Sequence, residues 1–558
     1  MKYHISYGNP LTHYVNISLV IENITSDSIE VELPNWRPGR YEIANFSKNI
    51  LKVSAYSIDG DSISIEKVTK STWKVDTHNN QYVKLKYIYY AYEMDAGNSW
   101  LDETQIYLNF INCMLYVRDR INDKHTVVLD IPNSYRIACG LQQHDRTLLA
   151  QSYYQLVDSP MIASDDLQCV QYDIQDTIFN IWINGDHNLD THRLVKDFEK
   201  FTDKQIETMG DFPCGEYHFL IQALPYRHYH GVEHENSTTI TLGPTSEFNS
   251  SELYGALLGI SSHELFHTWN VIRIRPKEMV PYEFLQENYF DTGYVAEGFT
   301  TYYGDLFLVK SGVKDVNWYI SKLNTLLKRH YENFGRSNMS VAESSRDLWL
   351  DGYSAGIPNR KVSIYNEGAI LALLMDLQIR ITTHHKNSLD DVMRVLWADY
   401  KQKKEGYDSK GILSILETLT PDQSWGNFFD SYVHGTKSIT DLLDELLQSF
   451  GCRLTKHHSD KLNESNWGFR MDSVNKIIKI EPNSIGEKWL SIGDSIQNLA
   501  EVIESKGSIV KLEVVRNYKN IEVELPLGEP KYFHFYRIEM NGVMTSKQKD
   551  VQAQWLNK

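Results

Sequence analysis

The periodicity of the apolar residues changes once along the chain, and this change constrains the fold more than any other feature. From Met1 to about Tyr172, apolar and polar residues alternate, and Asn, Gly, Asp and Pro separate the segments. From Leu189 onward, most of the apolar residues recur with the spacing of amphipathic helices. Alternation with a period of two favours an antiparallel β domain, whereas the mixed pattern that follows favours an α+β region.

The order of these patterns predicts a multidomain protein. Strands are expected at 217–224 and 237–242, with a loop rich in His and Tyr between them. Helices are expected at 189–209, 251–274, 294–309, 316–331, 363–384, 389–404, 409–419 and 439–450. Because domains usually hold about 100–200 residues, the chain divides into several compact units. We predict an N-terminal β domain at 1–175, a central α+β domain at 176–388, a helical extension at 389–455, a small β domain at 456–530 and a tail at 531–558.

Charge and cysteine content exclude several classes of protein. Asp and Glu outnumber Lys and Arg by 73 to 56, a net charge of −17 that repels nucleic-acid phosphates and anionic lipids. The five cysteines include no C-x-x-C pair, so neither a disulfide framework nor a cysteine zinc site is expected. The N-terminal segment lacks the apolar core of a signal peptide, and no transmembrane segment is evident. We therefore expect a cytoplasmic protein that binds neither nucleic acid nor membranes.

The pentapeptide HELFH at 263–267 has the pattern His-Glu-x-x-His. Side chains four residues apart lie on one face of a helix, so His263 and His267 can reach one cation. Zn²⁺ accepts imidazole nitrogen at about 2.0–2.1 Å, and two such ligands leave room for a third ligand and a water. Glu264 can take a proton from that water. Two solvent-facing histidines on an ordinary helix are the alternative.

The apolar stripe of the predicted helix favours the metal. His263, Glu264 and His267 follow Ile260 at the helical spacings of three, four and seven residues, so they face the core. An unpaired charge would be costly there, and a metal would compensate it. The third ligand should be acidic or His, downstream and on a neighbouring helix. Glu297 lies in an apolar, aromatic segment and meets this requirement, with a helix-surface glutamate as the alternative.

Segments well outside the pentapeptide resemble the glycyl aminopeptidase family. Its members are zinc metallopeptidases of the gluzincin group, with a C-terminal PDZ domain. The similar segments are LPNWRPGRY at 33–41, SHELFHTWNVIRIRP at 262–276, EGFT at 297–300, SLDDVM at 388–393 and FFDSYVHGT at 428–436. The likeness therefore extends to about residue 454.

The resemblance implies roles for further residues. Tyr365, in the segment YNEG, is similar to the tyrosine of the family's Tyr-x-Lys-Gly step, which donates a hydrogen bond to the oxyanion. Glu367 stands where that motif has lysine. Gly231 and Glu233 resemble a Gly-x-Glu motif on the edge strand of related aminopeptidases. There the strand backbone pairs with the substrate and the glutamate binds its free α-amine.

Together, the residues and the resemblance predict a zinc-dependent aminopeptidase with a thermolysin-like zincin domain and a PDZ-like domain. One zinc ion is expected on His263, His267 and Glu297, with Glu264 as the base and Tyr365 as the oxyanion donor. The resemblance implies peptide substrates with a free N-terminal residue that is small, Gly or Ala. The alternatives are a zinc endopeptidase of the same fold, and a PDZ-type scaffold that binds peptides and has a non-catalytic zinc site.

Overall fold

The computed structural model describes residues 1–78, 80–421, 423–499 and 508–556. Up to the strand Met161–Ser164, the chain forms the β domain that the alternating pattern predicts. Its largest sheet has eight strands, in the order Gln142–His144, Thr147–Ala150, His125–Asp130, Lys2–Tyr7, Tyr14–Glu22, Tyr82–Tyr90, Ile50–Tyr56 and Ser62–Ile63. The pairing is antiparallel except between Lys2–Tyr7 and His125–Asp130, which are parallel. Along Tyr14–Glu22, the residues Val15, Ile17, Leu19 and Ile21 are buried in the core of this domain.

Two four-stranded sheets complete the N-terminal domain. One has the order Arg136–Cys139, Met161–Ser164, Gln105–Leu108 and Trp100–Leu101, and the other Tyr116–Val117, Ser28–Glu32, Thr72–Asp76 and Ile65–Lys67. The segment 33–41 follows the strand Ser28–Glu32 and runs to the central unit. There Asn35 Nδ2 and Trp36 Nε1 donate hydrogen bonds, both 2.8 Å long, to the carbonyls of Leu285 and Glu283. The segment that resembles the family therefore anchors the first domain on the second.

The central unit is built on a five-stranded sheet. Its order is Gln168–Ile174, Thr177–Asn184, Glu216–Ala223, Ser237–Gly243 and His228–Glu233. The last of these, which we call the edge strand, pairs antiparallel with Ser237–Gly243. It lies in the segment predicted as a loop, so that prediction is wrong. An edge strand needs only one hydrogen-bonded neighbour, and this one consists largely of His, Tyr, Gly and Glu rather than alternating aliphatic residues.

The helix Ser251–Phe266, called the motif helix below, packs against this sheet. Ser250 caps it by accepting a hydrogen bond from the amide of Leu253 at 3.1 Å. The prediction that this helix reaches residue 274 is wrong, because it ends at Phe266 and turns follow. In these turns, the amide of Ile274 bonds the carbonyl of Trp269, five residues back rather than the four of an α-helix.

The other predicted helices are confirmed, with ends that differ by no more than two residues. They are Thr191–Met209, Thr300–Lys310, Val316–Glu332, Ile364–Thr382, Leu389–Lys403, Ser409–Leu419 and Thr440–Ser449, and a π-helical segment, Tyr294–Phe299, leads directly into the second of them. Shorter helices are Tyr153–Val157, Val341–Arg346, Leu348–Asp351 and Gly426–Phe428. Every helix in the described ranges is too short or too polar to traverse a lipid bilayer.

A small β unit with its own core follows the helices. Its strands are Phe469–Met471 paired with Ile477–Ile480, and Ser495–Ile496, Ile509–Arg516 and Lys519–Pro526 in one sheet, with short helices at Leu462–Ser465 and Ile485–Trp489. Trp467, Phe469 and Leu512 lie at the centre of its core. Residues 500–507, within the predicted PDZ-like domain, and 557–558, at the end of the predicted tail, lie outside the described residues.

The predicted tail packs on the central unit. Its strand His534–Met540 pairs antiparallel with Cys452–His458, and its helix is Ser546–Leu556. Trp555 on that helix is fully buried, and its Nε1 donates a hydrogen bond to the hydroxyl of Tyr302 at 3.1 Å. The C-terminal helix therefore contributes to the hydrophobic core of the central unit.

Candidate active site

The structure brings the three predicted metal ligands together. His263 Nε2 and His267 Nε2 lie 3.0 Å apart, and His267 Nε2 lies 3.4 Å from Glu297 Oε2. Ligand atoms held tetrahedrally at zinc-ligand bond lengths are about 3.4 Å apart, so the spacing fits a single zinc ion. The structure shows that these three side chains approach one point. Their role as metal ligands is still a prediction.

Hydrogen bonds orient two of these side chains. His267 Nδ1 donates to the carbonyl of Asn270 at 2.7 Å, which directs Nε2 toward His263 and Glu297. The hydroxyl of Tyr41 donates to Glu297 Oε1 at 3.0 Å, so Oε2 is the oxygen that faces His267. Hydrogen bonds of this kind, made by the atom that does not face the metal, orient side chains that bind metal ions.

The turn after the motif helix is bound to the segment that carries Glu297. Asn270 Nδ2 donates to the carbonyl of Val295 at 2.8 Å and to the hydroxyl of Thr300 at 3.0 Å. The Thr300 hydroxyl in turn donates to the carbonyl of Ala296 at 2.8 Å. Through these contacts, the HTWN and EGFT segments hold each other in position.

Three buried carboxylates surround the two imidazoles. Glu233, Glu264 and Glu297 are each less than a tenth exposed. Burial and the carboxylates of Glu233 and Glu297 raise the pKa of Glu264 well above its usual range. Burial lowers the pKa of His267, but Glu297 and Glu233 outweigh it and raise that pKa to about 10. Three carboxyl groups thus lie close together around two imidazoles, and a divalent cation would stabilise their ionised forms.

Two carboxylate oxygens in this cluster have no partner in the described part of the chain. Glu264 Oε2 and Glu233 Oε1 are fully buried and accept no hydrogen bond there. Buried acceptors are almost always paired, because an unpaired one loses its hydration without compensation. Two unpaired acceptors in one buried place mark a site that a bound ion or ligand would complete.

Glycines allow the backbone to approach these carboxylates. A Cβ atom on Gly231 of the edge strand would clash with Glu264 Oε1. A Cβ atom on Gly39 would lie 2.6 Å from Glu233 Oε2, and Gly39 also has a φ of +78°, which favours glycine. The structure thus gives Gly231 a steric role beside Glu264. The predicted pairing of its strand with substrate remains a prediction.

Tyr365 lies in the first turn of the helix Ile364–Thr382. This helix passes so close to the Glu297 segment that a Cβ on Gly298 would clash with the backbone of Gly368. The close approach places Tyr365 near Glu297, and burial together with that carboxylate raises the pKa of the Tyr365 phenol well above its usual range. Tyr365 is therefore a protonated hydrogen-bond donor at neutral pH.

Glu367, which stands where the family motif has lysine, has a partner of its own. His330 Nδ1 lies 2.6 Å from Glu367 Oε2, and both side chains are buried. Two residues along a helix are about 200° apart around its axis, so Glu367 points away from Tyr365. The departure from the motif therefore leaves the surroundings of Tyr365 intact.

Sequence reasoning missed the contribution of the N-terminal domain to the site. Tyr41 contacts Glu297, Gly39 packs on Glu233, and Arg37 acts electrostatically on Glu264. The only signal was the similarity of the segment 33–41 to a family motif. No spacing rule could have placed Tyr41, because 256 positions separate it from Glu297.

Comparison with known proteins agrees with this geometry. Residues 2–165 match the Peptidase M61 N-terminal domain, and residues 256–371 match the M61 glycyl aminopeptidase, together just over half of the chain. The chain belongs to the M61 glycyl aminopeptidase family. The resemblance found in the motifs is thereby confirmed, and the protein is assigned to the peptidases. The matched ranges include the segment 33–41 and five predicted site residues, but the edge strand lies between them.

One solved structure extends the likeness to the whole chain. The crystal structure of an aminopeptidase N family protein from Idiomarina loihiensis is 27% identical, with a TM-score of 0.90, and covers 100% of both chains. An M1 zinc metallopeptidase from Deinococcus radiodurans is 13% identical, with a TM-score of 0.49, and covers 78% of this chain and 94% of its own. A search of curated proteins gives no match. The multidomain arrangement of an N-terminal β domain and a helical peptidase region is thus that of a known fold.

Proposed function

We propose that the chain is a zinc-dependent aminopeptidase that hydrolyses N-terminal residues, small ones such as Gly and Ala, from peptides. The observation that carries the proposal is the convergence of His263, His267 and Glu297 in one buried cluster with Glu264 and Glu233. Family membership supports the peptidase activity, and the full-length relative from Idiomarina loihiensis is described as an aminopeptidase N family protein.

One zinc ion fits the site. His263 and His267 would bind it through Nε2 and Glu297 through Oε2, since these atoms face one another. When bound there, Zn²⁺ supplies a Lewis acid that polarises the scissile carbonyl and makes water more acidic. The excess of buried carboxylate supports this choice of a divalent cation.

The protein groups perform the remaining steps. Glu264 accepts a proton from the attacking water and later passes it to the leaving amine. Tyr365 donates a hydrogen bond to the carbonyl oxygen as it gains negative charge. Glu233 binds the ammonium group of the substrate through its vacant Oε1, which holds the first peptide bond at the reacting centre.

We also propose the domain assignment that the sequence predicts. The order of central sheet, motif helix and following helices supports the predicted thermolysin-like domain at 176–388 and a helical extension at 389–455. The strand Gln168–Ile174 belongs to the central sheet, so we place the start of the thermolysin-like domain before this strand. The separate core around Trp467 supports an independent β module at 456–530, for which PDZ-like remains our interpretation. The five unpaired cysteines support a reducing compartment, the cytoplasm.

Acetylation of the substrate amine tests the aminopeptidase assignment. We expect short peptides with a free amine to be cleaved and their N-acetylated forms to be resistant, since the acetyl group removes the charge that Glu233 binds. Glu233→Gln should lower kcat/KM for the free peptides by about 10–100-fold, the effect of losing one charged hydrogen bond. Steady-state kinetics on paired free and acetylated peptides give both values.

Glu235→Gln is the matched control for this experiment. Glu235 follows Glu233 by two residues but is exposed, and the same chemical change there should leave the kinetics unaltered. Equal cleavage of free and acetylated peptides would instead favour the endopeptidase alternative. A protein that binds zinc but cleaves neither form would favour the scaffold alternative.

Tyr41 is expected to act on zinc affinity. Tyr41→Phe removes the hydrogen bond to Glu297 Oε1 while keeping the ring that packs against Phe290. Loss of such a supporting bond should raise the zinc Kd by about 10–100-fold, with activity recovering at saturating zinc. Competition with a chelator of known affinity measures the Kd. Tyr14→Phe, at an exposed position of the same domain, should leave it unchanged, and an unaltered Kd in Tyr41→Phe would contradict the role.

A further inference from the structure

Arg37 is a buried cation that forms no salt bridge within the described residues. Its side chain is 5% exposed, and its one hydrogen bond within the described residues is from Nη1 to the carbonyl of Pro38 at 3.1 Å. No carboxylate among those residues lies within salt-bridge distance of the guanidinium. Burying an unpaired charge is costly, so such an arginine is typical of a site where a ligand brings the anion.

The environment of Arg37 is the candidate active site. The guanidinium packs on Gly97, where a Cβ atom would clash with it. The neighbouring acidic group is Asp95, whose Oδ1 accepts the amides of Gly97 at 2.7 Å and Asn98 at 2.8 Å. Burial raises the pKa of Asp95, and the charge of Arg37 acts against this and helps to lower it, although the two side chains form no salt bridge. Asp95 Oδ2 also lies 3.8 Å from Nδ1 of His230 on the edge strand. Arg37 therefore lies beside the part of the edge strand that precedes Glu233.

Other guanidinium nitrogens of Arg37 remain available to a ligand. Nε and Nη2 have no hydrogen-bond partner in the described part of the chain. Neither of these two atoms is completely shielded from solvent, so a ligand can reach them. By contrast, Arg40 in the same turn is paired with Glu42 at 2.9 Å and lies over the ring of Tyr353. Of these two arginines, Arg37 is the one without a salt-bridge partner in the described part of the chain.

The spacing along the edge strand defines the length of a matching peptide. Three residues separate Glu233 from His230, which is about 10 Å of extended strand. An extended tripeptide has nearly the same span between its amine and its carboxylate. A peptide with its amine at Glu233 that follows the open edge toward His230 therefore brings its C-terminal carboxylate to Arg37 when it has two or three residues.

We propose that Arg37 binds the C-terminal carboxylate of the substrate, so that the preferred substrates are free dipeptides and tripeptides. The planar guanidinium suits this task, since it binds a carboxylate with two parallel hydrogen bonds. The inference rests on the proposed aminopeptidase function, because it requires the substrate amine to lie at Glu233. Arg37 is then a second binding group besides Glu233, and the distance between the two groups selects peptides of a certain length.

Binding to the zinc-loaded Glu264→Gln protein tests the inference without turnover. Titration calorimetry compares triglycine with triglycinamide, which differ only in the charge of the C-terminus. We expect triglycine to bind at least about tenfold more tightly, as a charged hydrogen-bonded pair would provide. Adding Arg37→Gln should abolish this difference by weakening triglycine and leaving the amide unchanged, and Arg37→Lys should restore part of it. Arg453→Gln, at an exposed surface pair with Glu539, is the control and should keep the full difference.

The remaining outcomes separate this inference from the proposed function. Equal binding of triglycine and its amide, or an equal loss of both in Arg37→Gln, would overturn the carboxylate site. Thermal unfolding of each variant shows whether a loss of binding is due to misfolding. If Arg37→Gln is misfolded, the affinity difference between triglycine and its amide in Arg37→Lys decides whether the carboxylate site exists. Pentaglycine and its amide should bind alike, because the carboxylate passes beyond Arg37. If the wild type binds triglycine more tightly than triglycinamide but does not cleave triglycine, the aminopeptidase function is wrong and the carboxylate site is still supported.

Discussion

Glu264→Gln is expected to lower kcat by about 10²–10⁴-fold and to leave zinc bound. The amide has the size and shape of the carboxylate but cannot accept a proton from water. The substitution also keeps the three ligand side chains, of which His263 lies on the motif helix and His267 directly follows it. Single-turnover kinetics with a glycyl peptide, together with metal analysis of the same preparation, would separate loss of the base from loss of the metal.

The same helix provides a matched control. Glu252 lies in the first turn of the motif helix and is exposed, so Glu252→Gln makes an identical chemical change far from the cluster. Its kcat should equal that of the wild type. Unchanged turnover in Glu264→Gln would show that another group takes the proton, whereas loss of zinc would show that Glu264 is itself required for the metal.

The spacing of residues along one helix was enough to predict that His263 and His267 lie together. His263 and His267 face one point because residues four apart on any α-helix do so, and the apolar stripe that precedes them fixes the buried side. The end of that helix is different. It depends on Asn270 and its bonds to the segment of Glu297, which are tertiary contacts that no helical periodicity encodes.

The edge strand illustrates a second limit. Its composition of His, Tyr and Gly predicted a loop. The strand pairs on one side only and lacks the alternation of apolar and polar residues that marks most strands. Gly231 and Glu233 were found through a resemblance instead. Arg37 and Tyr41 lay within another similar segment, but their tasks depend on the packing of one domain against another, which short-range patterns cannot define.

Tyr365→Phe is expected to lower kcat by about 10²–10³-fold with little change in zinc content. Removal of one preorganised donor to a developing oxyanion costs about 3–4 kcal/mol in the transition state. The ring should keep its place, because the glycine contact between Gly298 and Gly368 holds the helix that carries it. KM should change much less than kcat, since the hydrogen bond strengthens only as the carbonyl oxygen gains charge.

The split between kcat and KM distinguishes this role from a structural one. If Tyr365 only packed against its neighbours, Tyr365→Phe would leave both constants nearly unchanged, because phenylalanine fills the same space. If the hydroxyl bound the substrate in its ground state, KM would rise and kcat would persist. Tyr518→Phe, at a fully exposed position in the C-terminal β unit, controls for the loss of a phenol and should match the wild type. A fall confined to kcat is therefore the result that identifies Tyr365 as the oxyanion donor.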